Sequence, residues 1–127
     1  MTFEEIQENI TVLAGYLQES DYTTPTDRCN KLQTLIGITA TLTELIPTLK
    51  LYVANKKEEF FENIPEGFNK LSARMQSERY FVYCKNETYV YDCAVSIYKT
   101  ASLQMDALRT LISSDKEEKK QSMYVAT

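Results

Sequence analysis

The sequence contains no histidine and no tryptophan. Without histidine, the chain has no imidazole to act as a general base, to activate a nucleophile or to bind a metal ion. Glycine and proline are scarce, with three of each among 127 residues, which argues against a fold of many turns and strands. The length suits one domain with a real core. These absences exclude histidine-dependent catalysis and favour an all-α fold.

The three cysteines, Cys29, Cys84 and Cys93, form no C-x-x-C pair. Such usage is typical of reduced thiols that act as small buried apolar groups. The acidic N-terminus lacks the basic start and apolar run of a secretory signal, and no stretch approaches the roughly 18 apolar residues of a membrane span. We therefore expect a cytoplasmic protein, in the host cytoplasm if the source is viral, with no membrane partner.

Capping signals and apolar spacing predict the first two helices. Thr2 and Glu5 form a capping box ahead of an apolar stripe with spacings of three and four. Thr24 and Pro25 suit the first positions of a second helix, whose pattern stops at residues 63–67. Pro47 lies inside this second helix, and we expect a kink or a break there because proline removes a hydrogen bond.

A third helix of about 45 residues is predicted over residues 68–113, which contain neither proline nor glycine. The stretch from Tyr80 to Tyr91 is rich enough in tyrosine, valine and threonine to resemble a strand, but the length of the run favours a helix. Residues 114–127 are polar and have no apolar stripe, which predicts a mobile tail. The sequence thus predicts a single helical domain over residues 1–113.

The length of this third helix predicts a homo-oligomer. Two shorter helices cannot cover it in a compact monomer, and apolar surface left exposed is commonly buried by association. The helix has two apolar faces, and the residues expected at the interface are Tyr91, Val95, Tyr98 and Met105 from one face and Ile112 from the other.

Charge is distributed unevenly along a chain with a net charge of −4. Residues 1–66 carry five basic and eleven acidic side chains, whereas residues 67–127 carry nine and seven. Basic residues interleaved with tyrosine and phenylalanine are typical of single-strand binders; the alternative is a solvated helix face beside tyrosines packed in a core. The candidate nucleic-acid-binding residues are Lys56, Lys57, Lys70, Arg74, Arg79 and Lys85.

Signals for catalysis or metal binding are weak. Glu58, Glu59 and Glu62 could share a helix face, but no Glu-x-x-His accompanies them to complete a two-metal site. The three glycines stand far apart, so no glycine-rich phosphate loop is present. We expect no enzymatic activity, metal ion, cofactor or small-molecule substrate.

Three stretches resemble the UvsY-type recombination mediators of tailed phages. They are the acidic amphipathic opening at residues 1–10, the Ala-Asn-Lys-Lys run at residues 54–57, and residues 78–105 of the third helix. The resemblance implies an all-helical protein that assembles into rings, binds single-stranded DNA, and helps load a recombinase onto DNA coated by a single-strand-binding protein. This chain departs from the family after Lys57, where acidic residues replace the basic continuation.

The sequence therefore predicts a non-enzymatic phage recombination accessory protein. Its expected partners are a second copy of itself, single-stranded DNA, a single-strand-binding protein and a recombinase. The alternative is a helical structural or regulatory interaction module, such as a virion assembly component or an inhibitor of host defence, that binds no nucleic acid. Salt-dependent binding to single strands distinguishes the two functions.

Overall fold

The computed structural model describes residues 1–19 and 22–125, and within them the chain is all-helical with no strands. Helix α1 spans Phe3–Gln18, α2 spans Pro25–Glu62 and α3 spans Ala73–Val125, with a short 3-10 helix at Phe68–Lys70 between α2 and α3. The predicted all-α fold with three helices and a long C-terminal helix is confirmed. The stretch from Tyr80 to Tyr91 is helical, as predicted.

Local capping explains where α1 and α2 begin. The Thr2 hydroxyl accepts a hydrogen bond from the Glu5 amide at 3.2 Å, and the Thr2 amide donates to the Glu5 carboxylate at 3.3 Å. The Thr24 hydroxyl accepts from the Asp27 amide at 3.1 Å, ahead of Pro25 in the first turn. Both caps satisfy amides that a helix N-terminus otherwise leaves unpaired.

Helices α2 and α3 form a long antiparallel hairpin. The Phe60 and Tyr80 rings meet at one end, with centroids 5.2 Å apart, and Arg28 pairs with Asp115 at the other. Between these ends, apolar residues recur at spacings of three and four on both helices, the repeat of a coiled coil. The buried residues that form this seam are Leu35, Ile38, Leu42, Leu45 and Leu49 on α2, and Val90, Ala94, Ile97, Ala101 and Leu108 on α3.

Helix α1 covers one side of this hairpin over part of its length. Ile6 and Ile10 are buried in the seam. At the N-terminal end of α1, the Tyr52 hydroxyl donates a hydrogen bond to the Met1 carbonyl at 3.3 Å, while the C-terminal end reaches Lys31. Helix α1 therefore runs antiparallel to α2, and its N-terminal end lies near Tyr52. Beyond it, residues 53–88, here called the hairpin tip, consist of two helices and their connection.

A buried lysine holds the C-terminal end of α1. The Lys31 side chain is 7% exposed, and its ammonium donates to the carbonyls of Tyr16 and Leu17, each at 3.0 Å, and to that of Glu19. Burial lowers the pKa of Lys31, and the Glu19 carboxylate opposes this shift. The last turn of α1 has no basic residue of its own, so α2 supplies the positive charge that a helix C-terminus favours.

The bounds of α3 differ from the prediction at both ends. The helix begins at Ala73 instead of about Phe68, because the connection first forms the 3-10 turn. It continues to Val125 instead of ending near Ser113. Asp115 is held by the Arg28 guanidinium at 2.5 Å, and the lysine- and glutamate-rich sequence that follows consists of good helix formers. The mobility expected after residue 113 stays a prediction, and residues 126–127 lie outside the described residues.

Pro47 does not break α2, which runs as one helix from Pro25 to Glu62. Its position is exposed, while its neighbours Leu45 and Leu49 are buried in the seam. Packing of the flanking seam residues therefore keeps α2 helical although proline cannot donate its backbone hydrogen bond. The kink expected there stays a prediction.

Helix α2 is long and apolar enough, by length and composition, to count as a candidate membrane span. The expectation that no stretch approaches this threshold is therefore wrong for α2. A core helix passes the same test, and seven of the nine leucine and isoleucine residues of α2 belong to the core or pack against it.

Candidate interaction surfaces

The candidate metal ligands and thiols lie dispersed over the described residues. No group of three His, Cys, Asp or Glu side chains is placed to hold a metal ion among residues 1–19 and 22–125. Cys84 is buried beside Tyr83, and burial raises the pKa of its thiol. A raised pKa keeps the sulfur protonated at neutral pH, and the thiol is a weak nucleophile.

All six predicted DNA-binding residues lie in the hairpin tip, together with six glutamates. The Lys56 ammonium stands 3.7 Å from the Glu59 carboxylate and 4.7 Å from the centre of the Tyr83 ring. Arg74 pairs with Glu78 at 3.2 Å on the exposed surface of α3. The tip is thus locally neutral, and two of the six cations already have acidic partners.

The structure does not gather the six cations on one face. Arg74 and Lys85 are eleven residues apart on α3, so they share a face with Phe81, which lies between them and is 64% exposed. Arg79 lies on another face, where it lines a groove beside Phe60. Lys56 and Lys57 belong to α2, and Lys70 ends the 3-10 turn. What remains is a short stripe in which an exposed ring stands between two cations.

Four of the five predicted interface residues follow one face of α3. Tyr91, Tyr98, Met105 and Ile112 are spaced by seven, so they lie in a row along the helix. They lie about 160° around α3 from Tyr89 and Ser96, which line the groove beside α1. The row is therefore on the side of the hairpin that α1 leaves uncovered. Val95 is half-buried at its edge.

This uncovered side, here called the open face, also includes residues of α2. Leu32 and Ile46 pack against the core while remaining partly exposed, as Tyr91 and Met105 do. The Met105 sulfur lies 3.9 Å from the Thr39 hydroxyl, which ties the two helices together at the centre of the face. The open face is a half-buried apolar band that runs along the hairpin on the side opposite α1.

A second apolar surface lies at the hairpin tip. Phe60 is buried there, and the rings of Phe61, Phe68, Tyr80 and Tyr83 surround it with centroids 5.2–5.6 Å away. A groove of about 540 Å³ runs past this cluster. It is lined by Phe60, Pro65, Met75, Glu78, Arg79, Val82 and Tyr83. Our sequence interpretation missed this cluster, although phenylalanines on both sides of the Pro65–Gly67 turn signalled it.

The total surface of the chain is large for its mass. The structure exposes 9114 Å², whereas a compact monomer of 14.7 kDa exposes about 6,900 Å². The excess of about 2,200 Å² exceeds the area of about 800 Å² that each partner commonly buries in a stable interface.

A search against protein-family models, curated proteins and solved structures found no match to this chain.

Proposed function

We propose that this chain is a non-enzymatic helical interaction module that self-associates through its open face. The open face carries the proposal: it is a continuous apolar band on the side of the hairpin that α1 does not cover. Its aromatic and methionine side chains are the types enriched at protein interfaces. The large total surface of the isolated chain supports association through such a face.

Two copies related by a two-fold axis would each present the same face. Tyr91, Tyr98 and Met105 are spaced by seven along α3, so an antiparallel copy can fill the gaps between them with the same side chains. Such an interface protects the partly exposed Leu32 and Ile46 from water at the same time. We infer that the module works as a scaffold or adaptor built on this pair.

Tyr98 is a partly exposed residue in the middle of the open face. Tyr98→Lys places a charge where the proposed partner brings apolar side chains, and an unpaired buried charge is costly. We expect self-association through this face to weaken by at least about a hundredfold, which corresponds to about 2.7 kcal/mol. Light scattering behind a sizing column, over a range of concentrations, measures the mass.

Leu51→Lys is the matched control. Leu51 is 61% exposed on α2 and is outside the packed core, so the same charge is introduced on a helix without touching the open face. Helix content by circular dichroism should stay unchanged in both variants. Equal masses for Tyr98→Lys, Leu51→Lys and the unaltered chain would contradict self-association through the open face.

A second candidate function is that of a recombination mediator that binds single-stranded DNA and helps load a recombinase past a single-strand-binding protein. The observation that favours it is the exposed Phe81 between Arg74 and Lys85 on one face of α3. Exposed rings stack on bases while neighbouring cations contact phosphates. Because the tip has as many acids as bases, several copies would have to combine their stripes to give useful affinity.

The stripe of Arg74, Phe81 and Lys85 can be tested by reversing its two charges. Arg74→Glu combined with Lys85→Glu should lower affinity for a fluorescent single-stranded oligonucleotide by more than about tenfold at about 50 mM salt, because phosphate contacts dominate such binding. Fluorescence anisotropy gives the affinity. The control is Lys116→Glu combined with Lys119→Glu, which makes the same charge change at the exposed far end of α3. If the unaltered chain shows no salt-dependent binding, the mediator function is contradicted and the proposal of an interaction module is unaffected.

A further inference from the structure

One row of side chains on α3 runs from the groove beside α1 to the groove at the hairpin tip. Met75, Val82, Tyr89 and Ser96 are spaced by seven and lie in one row along α3. Tyr89 and Ser96 line the groove beside α1, whereas Met75 and Val82 line the groove at the hairpin tip. Val82 is 60% exposed. Met75 and Tyr89 are 45% and 69% exposed, so the row presents an exposed apolar stripe on both sides of Val82.

We propose that this exposed row packs on the same row in the hairpin tip of a second copy, antiparallel about a two-fold axis. In that arrangement Met75 lies near Tyr89 of the partner subunit, so the interface covers both exposed ends of the row at once. The row around Val82 would then pack on the row around Val82 of the partner subunit.

Charges beside the row favour this antiparallel arrangement. Glu78 and Lys85 are seven residues apart, so they flank the row on the same side. In an antiparallel pair centred between them, Glu78 faces Lys85 of the partner subunit, and Lys85 faces Glu78 of the partner subunit. The two-fold axis thus makes both ion pairs at once, which is the self-complementarity that a closed dimer requires.

The charge balance of the molecule points to the same occupant. The hairpin tip has six basic and six acidic residues, so the whole net charge of −4 resides elsewhere in the chain. Two copies that meet at their tips therefore avoid the repulsion that the rest of the surface would cause. A partner helix with a strong net charge would meet no opposite net charge at the hairpin tip.

The tip contact and the open face are on opposite sides of α3, so one copy can use both. Two different two-fold contacts on one subunit generate either a closed tetramer or an open chain of subunits. The surface excess of about 2,200 Å² per chain leaves room for two interfaces of about 800 Å² per partner.

Val82→Lys in the full-length chain tests the tip contact. Val82 is exposed in the monomer, so the variant should keep its helix content and lose only the tip interface. We expect the combination of Val82→Lys and Tyr98→Lys to be monomeric by light scattering, and Tyr98→Lys alone to remain dimeric. If Tyr98→Lys alone is already monomeric at concentrations where the unaltered chain is dimeric, the tip contact is wrong and the open-face proposal survives.

A charge exchange gives a readout that a general loss of stability cannot imitate. In the Tyr98→Lys background, Glu78→Lys and Lys85→Glu should each weaken the dimer at least about tenfold, because each places like charges opposite one another. The two changes combined should restore the dimer, since both cross-subunit pairs are re-formed with reversed signs. Failure of the combined variant to recover would overturn the proposed register. If the unaltered chain and Tyr98→Lys have equal mass while Val82→Lys is monomeric, the open-face proposal fails and the tip contact stands.

Discussion

Leu42→Ala should lower the free energy of unfolding by about 3–5 kcal/mol. Leu42 is fully buried in the centre of α2, within the seam where α2 meets α1 and α3. Truncation removes three carbon atoms and leaves a cavity that long, antiparallel helices cannot close by a local shift. Since small domains are stable by about 5–15 kcal/mol, this one change consumes a large part of the total.

Urea unfolding followed by circular dichroism at 222 nm measures this loss as a lower midpoint at an unchanged slope. Leu51→Ala is the matched control, because Leu51 is on the same helix but is outside the packed core. Its cost should stay within about 0.5 kcal/mol. Similar costs for both variants would mean that α2 does not bury the face described above.

Lys31→Met should lower the free energy of unfolding by about 2–4 kcal/mol. The change keeps the length and apolar stem of the side chain but removes the donors that reach the carbonyls of Tyr16, Leu17 and Glu19. Hydrogen bonds from charged groups are worth about 1.5–3 kcal/mol each, and some of the released carbonyls regain water. The loss should concentrate in α1, whose last turn has no other basic residue.

Hydrogen exchange of the α1 amides, together with urea unfolding, checks this prediction. In Lys31→Met the α1 amides should exchange faster, while those of the α2–α3 seam should change less, since the hairpin keeps its own packing. Lys50→Met is the control, because Lys50 is exposed on the same helix. If the two methionine variants are equally stable, the contacts of Lys31 do not stabilise the fold.

Local sequence signals predicted where α1 and α2 begin and where α2 ends, because each of these points depends on neighbouring residues. Thr2 with Glu5 and Thr24 with Pro25 form their caps within four positions. The apolar row at Tyr91, Tyr98, Met105 and Ile112 was likewise readable, since a spacing of seven fixes a face before any partner helix is known.

Other features depend on contacts between distant residues and could not be predicted from local patterns. The continuation of α3 past Ser113 is supported by Asp115, whose partner Arg28 is 87 positions away. The separation of Arg79 from Lys85 is different, because it follows from their spacing of six on a predicted helix and could have been predicted from the sequence. Lys31 did leave a signal, because a lysine stands four residues before Leu35 on the otherwise apolar seam of α2.

The length of α3 sets the reach of the molecule. Its 53 residues extend about 80 Å as one helix, whereas a compact chain of this size has a radius of gyration of about 14 Å. The aromatic tip and the charged C-terminal turns are therefore too far apart to contact the same small partner. A rod of this kind would hold two partners, one bound at each end, at a fixed separation, so the length of α3 would set the spacing between them.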